Sequence, residues 1–131
     1  MANVLIVDDD LDIAELSKQV LESAGHQIRV GHSGEEGLKS LDGAPPLPDC
    51  LLLDVDMPGI DGPVMAHEML VHDAGEEKIP ILLVSGRNDL AAVAARMGTP
   101  YFLTKGRDDY IDVLLKILAR ALNERKAPAS A

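Results

Sequence analysis

Short uninterrupted apolar runs alternate along this chain with stretches of three- and four-residue periodicity, and most of the runs stop at a polar group. Asn3-Val-Leu-Ile-Val7 is the first, rich in β-branched residues, and Asp8, Asp9 and Asp10 follow it. From Leu11 the period changes: Ile13, Leu16, Val20 and Ala24 recur at helical steps with Leu21 beside them, which predicts a helix capped by Asp10 and stopped by Gly25. Residues 27–31 read as a second strand, and Ser33 as the cap of a short helix to about Leu41. A proline-rich surface loop over 42–48 leads to Cys50-Leu-Leu-Leu-Asp54, a continuous apolar run that ends in a carboxylate. Such a run, bounded by turn residues, suits a strand buried on both faces. The chain then breaks at Pro58, Gly59 and Gly62, and Pro63 opens a third helix to about His72. Ile79–Ser85 is a fourth strand, and Asn88 or Asp89 caps an Ala-rich helix ending at Gly98. Residues 101–105 form a fifth strand, and a last helix runs from about Asp108 to Leu122.

Five strands alternating with five helices imply an α/β domain, a doubly wound parallel sheet covered on both faces. The expected domain is residues 1–122, followed by a flexible polar tail over 123–131. With 131 residues and 47% hydrophobic positions the chain can bury a real core, and that core must be largely aliphatic, since it has two Tyr, one Phe and no Trp. No apolar run approaches the roughly 20 residues of a membrane span, and no export signal is evident at the N-terminus. One cysteine forms no internal disulfide, which suits a reducing cytoplasm. A net charge of −10 argues against direct contact with nucleic acid.

Four of the five strands end in a group able to do chemistry: Asp8 and Asp9, Asp54, Ser85, and Lys105. In open parallel sheets the carboxyl edge is where ligands bind. Singly, each residue has a plainer role: an Asp caps a helix, a Ser forms a turn, a Lys is solvated. Together they read as one site. Clustered carboxylates repel unless some protonate or a cation neutralises them. Oxygen-only ligands suit Mg²⁺, which commonly bridges carboxylates to phosphate. Lys105 and Ser85 suit a phosphoryl group, and Asp54 can be its nucleophile.

The order Val-Asp8-Asp9, Leu-Leu-Leu-Asp54-Val-Asp56-Met-Pro58-Gly, Val-Ser85-Gly86, Thr-Lys105 resembles the receiver domain of bacterial two-component response regulators, over residues 3 to about 122. The resemblance implies a flavodoxin-like fold with strand order 2-1-3-4-5 and a single-domain switch, not an enzyme in the ordinary sense. Asp54 would accept a phosphoryl group from a histidine kinase or phosphotransfer protein. Asp8, Asp9, Asp54 and the backbone carbonyl of Asp56 would hold Mg²⁺. Ser85 and Lys105 would meet the phosphoryl oxygens, and Phe102 would be the aromatic switch residue that follows Ser85 inward. No output domain follows, so a downstream protein target is expected unless the chain belongs to something longer.

Three departures stand out. Gly106 replaces the usual proline after the lysine, which leaves Lys105 less firmly placed. Asp56 stands two residues beyond the acceptor, where its charge can alter phosphoryl lifetime, and Arg87 stands two beyond Ser85. In the last helix, Ile111, Leu114, Leu115, Leu118 and Leu122 form an expected core stripe. Tyr110, Val113, Ile117 and Ala121 form a second, which is either deeply covered or a contact surface for a partner or a homodimer. Cys50 and the four histidines read as packing or surface residues. Two alternatives remain at this level: an interaction module independent of phosphorylation, and a phosphatase similar to haloacid dehalogenases, suggested by Asp54-Val-Asp56.

Overall fold

The computed structural model describes residues 2–33, 36, 48–55, 80–86, 88–97 and 99–126. Five parallel strands form one sheet: β1 (Asn3–Val7), β2 (Gln27–Gly31), β3 (Cys50–Asp54), β4 (Ile81–Ser85) and β5 (Tyr101–Thr104), in the order β2-β1-β3-β4-β5. Three helices lie within the described residues: α1 (Leu11–Ser23), α2 (Leu90–Met97) and α3 (Tyr110–Lys126). The helices expected from Ser33 and from Pro63 lie outside them, except at one point. The Ser33 hydroxyl accepts the Glu36 backbone N–H at 3.1 Å, the contact made by an N-cap residue.

The continuous apolar runs form strands because both faces of the sheet are covered, so neither needs polar side chains. Alternate residues diverge, as a pleated strand requires. Val4 and Ile6 of β1 join Cys50, Leu52, Leu82 and Val84 in a cluster with α1 and α3, while Leu5, Val7, Leu51, Leu53 and Leu83 pack with Leu90, Val93 and Ala94 of α2. β4 begins at Ile81, and Ile79, expected to open it, lies outside the described residues. Pro80 lacks an N–H and contributes only its carbonyl, which accepts from Leu51.

The ends of α1 match expectation. The Asp10 carboxylate accepts the backbone N–H groups of Asp12 and Ile13, and Gly25 adopts φ +96° just past the C-cap Ala24. Asp10→Ala is expected to destabilise the fold by about 1 kcal/mol, which urea titration followed by circular dichroism measures.

The buried face of α1 is rotated from the expected one. Ala14, Ser17 and Leu21 are buried, while Leu16 is exposed. Ser17 faces inward because its hydroxyl is paired with the Tyr110 hydroxyl at 3.0 Å, joining α1 to α3. That pairing also reorders α3. Its core residues are Tyr110, Leu114, Leu118 and Ala121, whereas Ile111 is exposed. Of the second stripe, open between deep cover and a contact surface, Tyr110 and Ala121 are core residues and therefore not contact residues, and Val113 and Ile117 are half-buried against the same cluster. α3 also runs four residues beyond Leu122. Glu124 explains part of this: its carboxylate accepts from the Tyr101 hydroxyl at 2.8 Å and from Arg120 at 2.9 Å, and Arg120 lies over the Tyr101 ring. Burial and Glu124 push the Tyr101 phenol up to about 12.

Candidate functional site

Parallel strands deliver their last residues to one rim, and here that rim is acidic. β1 ends at Val7, and the Asp8 N–H still pairs with the Gly31 carbonyl at 3.0 Å, so Asp8 continues the strand. Asp54 is the last residue of β3 and Ser85 the last of β4. Lys105 extends β5 by one residue, its N–H donating to the Ser85 carbonyl at 2.8 Å. Asp8 and Asp54 are 4% and 3% exposed, a degree of burial that charged groups tolerate only when partnered.

The partner is Lys105. Its Nζ stands 3.1 Å from Asp8 Oδ2 and 3.3 Å from Asp54 Oδ2, bridging two carboxylates at once. Lys105 has partners at both ends: ion pairs hold its head and a backbone hydrogen bond holds its base. Asp9 is exposed, yet Asp8, Asp9 and Asp54 each offer an oxygen, all within 4.8 Å of one another. Three carboxylates converging this closely can share a divalent cation.

The electrostatics agree with that crowding. Burial, together with the neighbouring Asp54, pushes Asp8 up to about 6, against the Asp10 backbone N–H and Lys105, which favour its charged form. Burial and Asp54 likewise raise Asp9. Burial alone would lower Lys105, but the hydrogen bonds and charges of Asp8 and Asp54 outweigh it and the ammonium is held charged. One lysine does not neutralise three acids, so the site carries excess negative charge.

Ser85 is buried at the same rim, between Asp54 and Lys105 in strand order. Phe102, on β5, is 38% exposed, its side chain on the outer side of the strand while Tyr101 and Leu103 face inward. Asp56, Arg87, His67 and His72 lie outside the described residues. Ser17 and Tyr110 were the polar pair that sequence reading missed. Neither residue type signals burial, and the two stand 93 positions apart.

The chain matches the response regulator receiver domain over residues 4–118. It belongs to that family. Receiver domains are the signalling switches of two-component systems. The chain is 34% identical over 125 residues to the transcriptional regulatory protein AfsQ1 of Streptomyces coelicolor, covering 95% of this chain and 49% of that protein. It is 32% identical over 133 residues to the response regulator MprA of Mycobacterium tuberculosis, covering 98% of this chain and 53% of that protein. It thus spans about half the length of these curated relatives. The chemotaxis protein CheY4 of Vibrio cholerae superposes with a TM-score of 0.78 at 26% identity, covering 92% of this receiver and 98% of that chain. AfsQ1 qualifies the expectation that nucleic acid is not a partner. A relative twice as long is a transcriptional regulatory protein, so the charge argument speaks only for these 131 residues. Among the described residues no helix is long and apolar enough to cross a membrane.

Proposed function

We propose that this receiver is a cytoplasmic phosphoacceptor switch in which Asp54 takes a phosphoryl group from the phosphohistidine of a histidine kinase or phosphotransfer protein. The observation that carries this reading is the Lys105 ammonium set between Asp8 and Asp54, with Asp9 close enough to share a cation. An Asp54 carboxylate oxygen attacks phosphorus, the P–N bond breaks, and its electron pair remains on the imidazole nitrogen. The product is an aspartyl phosphate.

The donor set is all oxygen and strongly acidic, which fits Mg²⁺. Asp8, Asp9 and Asp54 would hold it, with the Asp56 carbonyl as a further ligand. When bound, the ion offsets charge on the transferring oxygens. Lys105 already touches Asp54, so a phosphoryl oxygen can take over that contact with little movement of the side chain. Ser85 donates to another phosphoryl oxygen. Drawing Ser85 toward the phosphoryl group leaves room for the exposed Phe102 to turn inward and reshape the face built from α2, β5 and α3. Output then passes to a downstream protein target, to a second copy of this chain, or to an attached segment of the kind the longer relatives have room for.

Acetyl phosphate with Mg²⁺ should add one phosphoryl group by intact mass, and Asp54→Asn should abolish it. An adduct that survives Asp54→Asn, or none on the wild type, overturns the reading. Sedimentation with and without the phosphodonor tests the homodimer: a monomer in both conditions removes it. Among the described residues the acid cluster is made by Asp54 with Asp8 and Asp9, which follow the first strand, and this favours the receiver over the phosphatase alternative.

A further inference from the structure

Gly106 has φ +83°, and among the described residues only Gly25, which ends α1, shares the left-handed region. Gly106 sits between two fixed ends. On one side Lys105 is tied to β4 through Ser85 and to the acids through its ammonium. On the other, the entry to α3 is organised from Arg107 onward. The Arg107 guanidinium grips both oxygens of Asp109 at 2.7 and 3.0 Å, the Arg107 carbonyl accepts the Tyr110 N–H, and Tyr110 is anchored in the core. Within the short link 105–109 between the edge strand and the helix, Gly106 is the one residue with positive φ.

The demand is also long-ranged. β5 is the edge strand, and β4 and β3 separate it from β1. Neighbouring strands stand about 4.8 Å apart, so Lys105 must project along the rim, past β4, to reach Asp54 and Asp8. The main chain has to leave the rim directly after it, without crossing the acids.

We infer that Gly106 is a positioning residue for the phosphoryl site: its left-handed conformation aims Lys105 at Asp8 and Asp54. The inference rests on the phosphoacceptor reading for its catalytic consequence, though not for its geometry. A Cβ built at Gly106 meets nothing within 4 Å, so packing does not select glycine here and the backbone angle does. A side chain that resists positive φ forces one end to shift. α3 is held by Leu114 and Leu118 fully buried in the core, whereas Lys105 is only partly buried and held by polar contacts, so the shift falls on Lys105.

The test compares Gly106→Asn, Gly106→Ala and Gly106→Val in the full chain. Asn tolerates the left-handed region, Ala resists it, and a β-branched residue resists it most. At saturating acetyl phosphate and Mg²⁺, the maximal rate of Asp54 phosphorylation should fall least for Asn, by roughly 5- to 30-fold for Ala, and further for Val. Pulsed acylation at fixed pH with peptide mapping reads Lys105 directly. Its labelling should accelerate in the same order while that of Lys116 stays constant. Rates and labelling that are equal in all three variants and the wild type would overturn the inference. So would losses that follow side-chain size, with Asn worse than Ala. Labelling in the expected order on a wild type that takes no phosphoryl group would uphold the positioning and sink the phosphoacceptor reading instead.

Discussion

Lys105→Met should lower the stability of the ion-free protein at neutral pH by about 3 kcal/mol, the low end of what breaking a buried ion pair costs. The substitution leaves two carboxylates, each under 5% exposed, without their shared counter-charge. Part of the penalty is avoided because Asp8 is already pushed up to about 6 and can take a proton. Phosphorylation by acetyl phosphate should slow by roughly 100- to 1,000-fold, the usual cost of removing one preorganised group that stabilises transition-state charge. A further arm separates electrostatics from packing. If the lost charge is the cause, millimolar Mg²⁺ should recover more stability in Lys105→Met than it adds to the wild type, since the ion faces an acid cluster with nothing else to neutralise it. Urea denaturation with chelator and with Mg²⁺ measures both quantities. Equal gains in the two proteins would assign the loss to packing.

Asp8→Asn should move stability the other way. Burial and the neighbouring Asp54 push Asp8 up to about 6 from its ordinary 3.8. For a group raised on folding, the folded protein binds more protons than the unfolded chain between those two values, so stability falls as pH rises from about 4 to about 6. Above pH 6 the full cost of burying the charged form is present, about 3 kcal/mol at 1.36 kcal/mol per pKa unit. Asn keeps the shape and an oxygen for the Asp10 N–H without carrying charge. Asp8→Asn is therefore expected to stabilise the ion-free protein by about 2–3 kcal/mol at pH 7 and by little below pH 4, while weakening Mg²⁺ binding. A site kept in spite of such a cost is kept for binding rather than for folding. Denaturation midpoints across pH 4 to 8 with chelator check the slope. A variant equally or less stable than the wild type at pH 7 would refute the account.

The features legible in the sequence were those set by one strand or one turn at a time. An apolar run ending in an acid specifies a buried parallel strand and a rim residue, and Asp8, Asp54, Ser85 and Lys105 lie where that logic puts them. Asp10 and Gly25 act at the ends of α1 as their residue types dictate. What could not be read depends on pairing across the fold. Hydropathy places Leu16 inside and Ser17 outside, and the structure reverses them because Ser17 has Tyr110 as a partner. The stripe containing Tyr110 was left open between deep cover and a contact surface, because the Ser17 hydroxyl that pairs with the phenol lies 93 positions away. Gly106 read as a missing proline that would loosen the lysine, and only its φ shows that in this chain the residue adopts a conformation proline cannot.

The hydrogen bond between Tyr101 and Glu124 bears on where this module can be cut and rejoined. Helical periodicity fades at Leu122, which makes that position the natural splice point for grafting the receiver onto a reporter. A junction there would discard the carboxylate that accepts from the edge strand's tyrosine and pairs with Arg120. It would uncap the side of β5 on which Tyr101 sits, one residue from Phe102. Chimeras joined after Lys126 keep that fastening, and with it the packing of the edge strand against the end of α3.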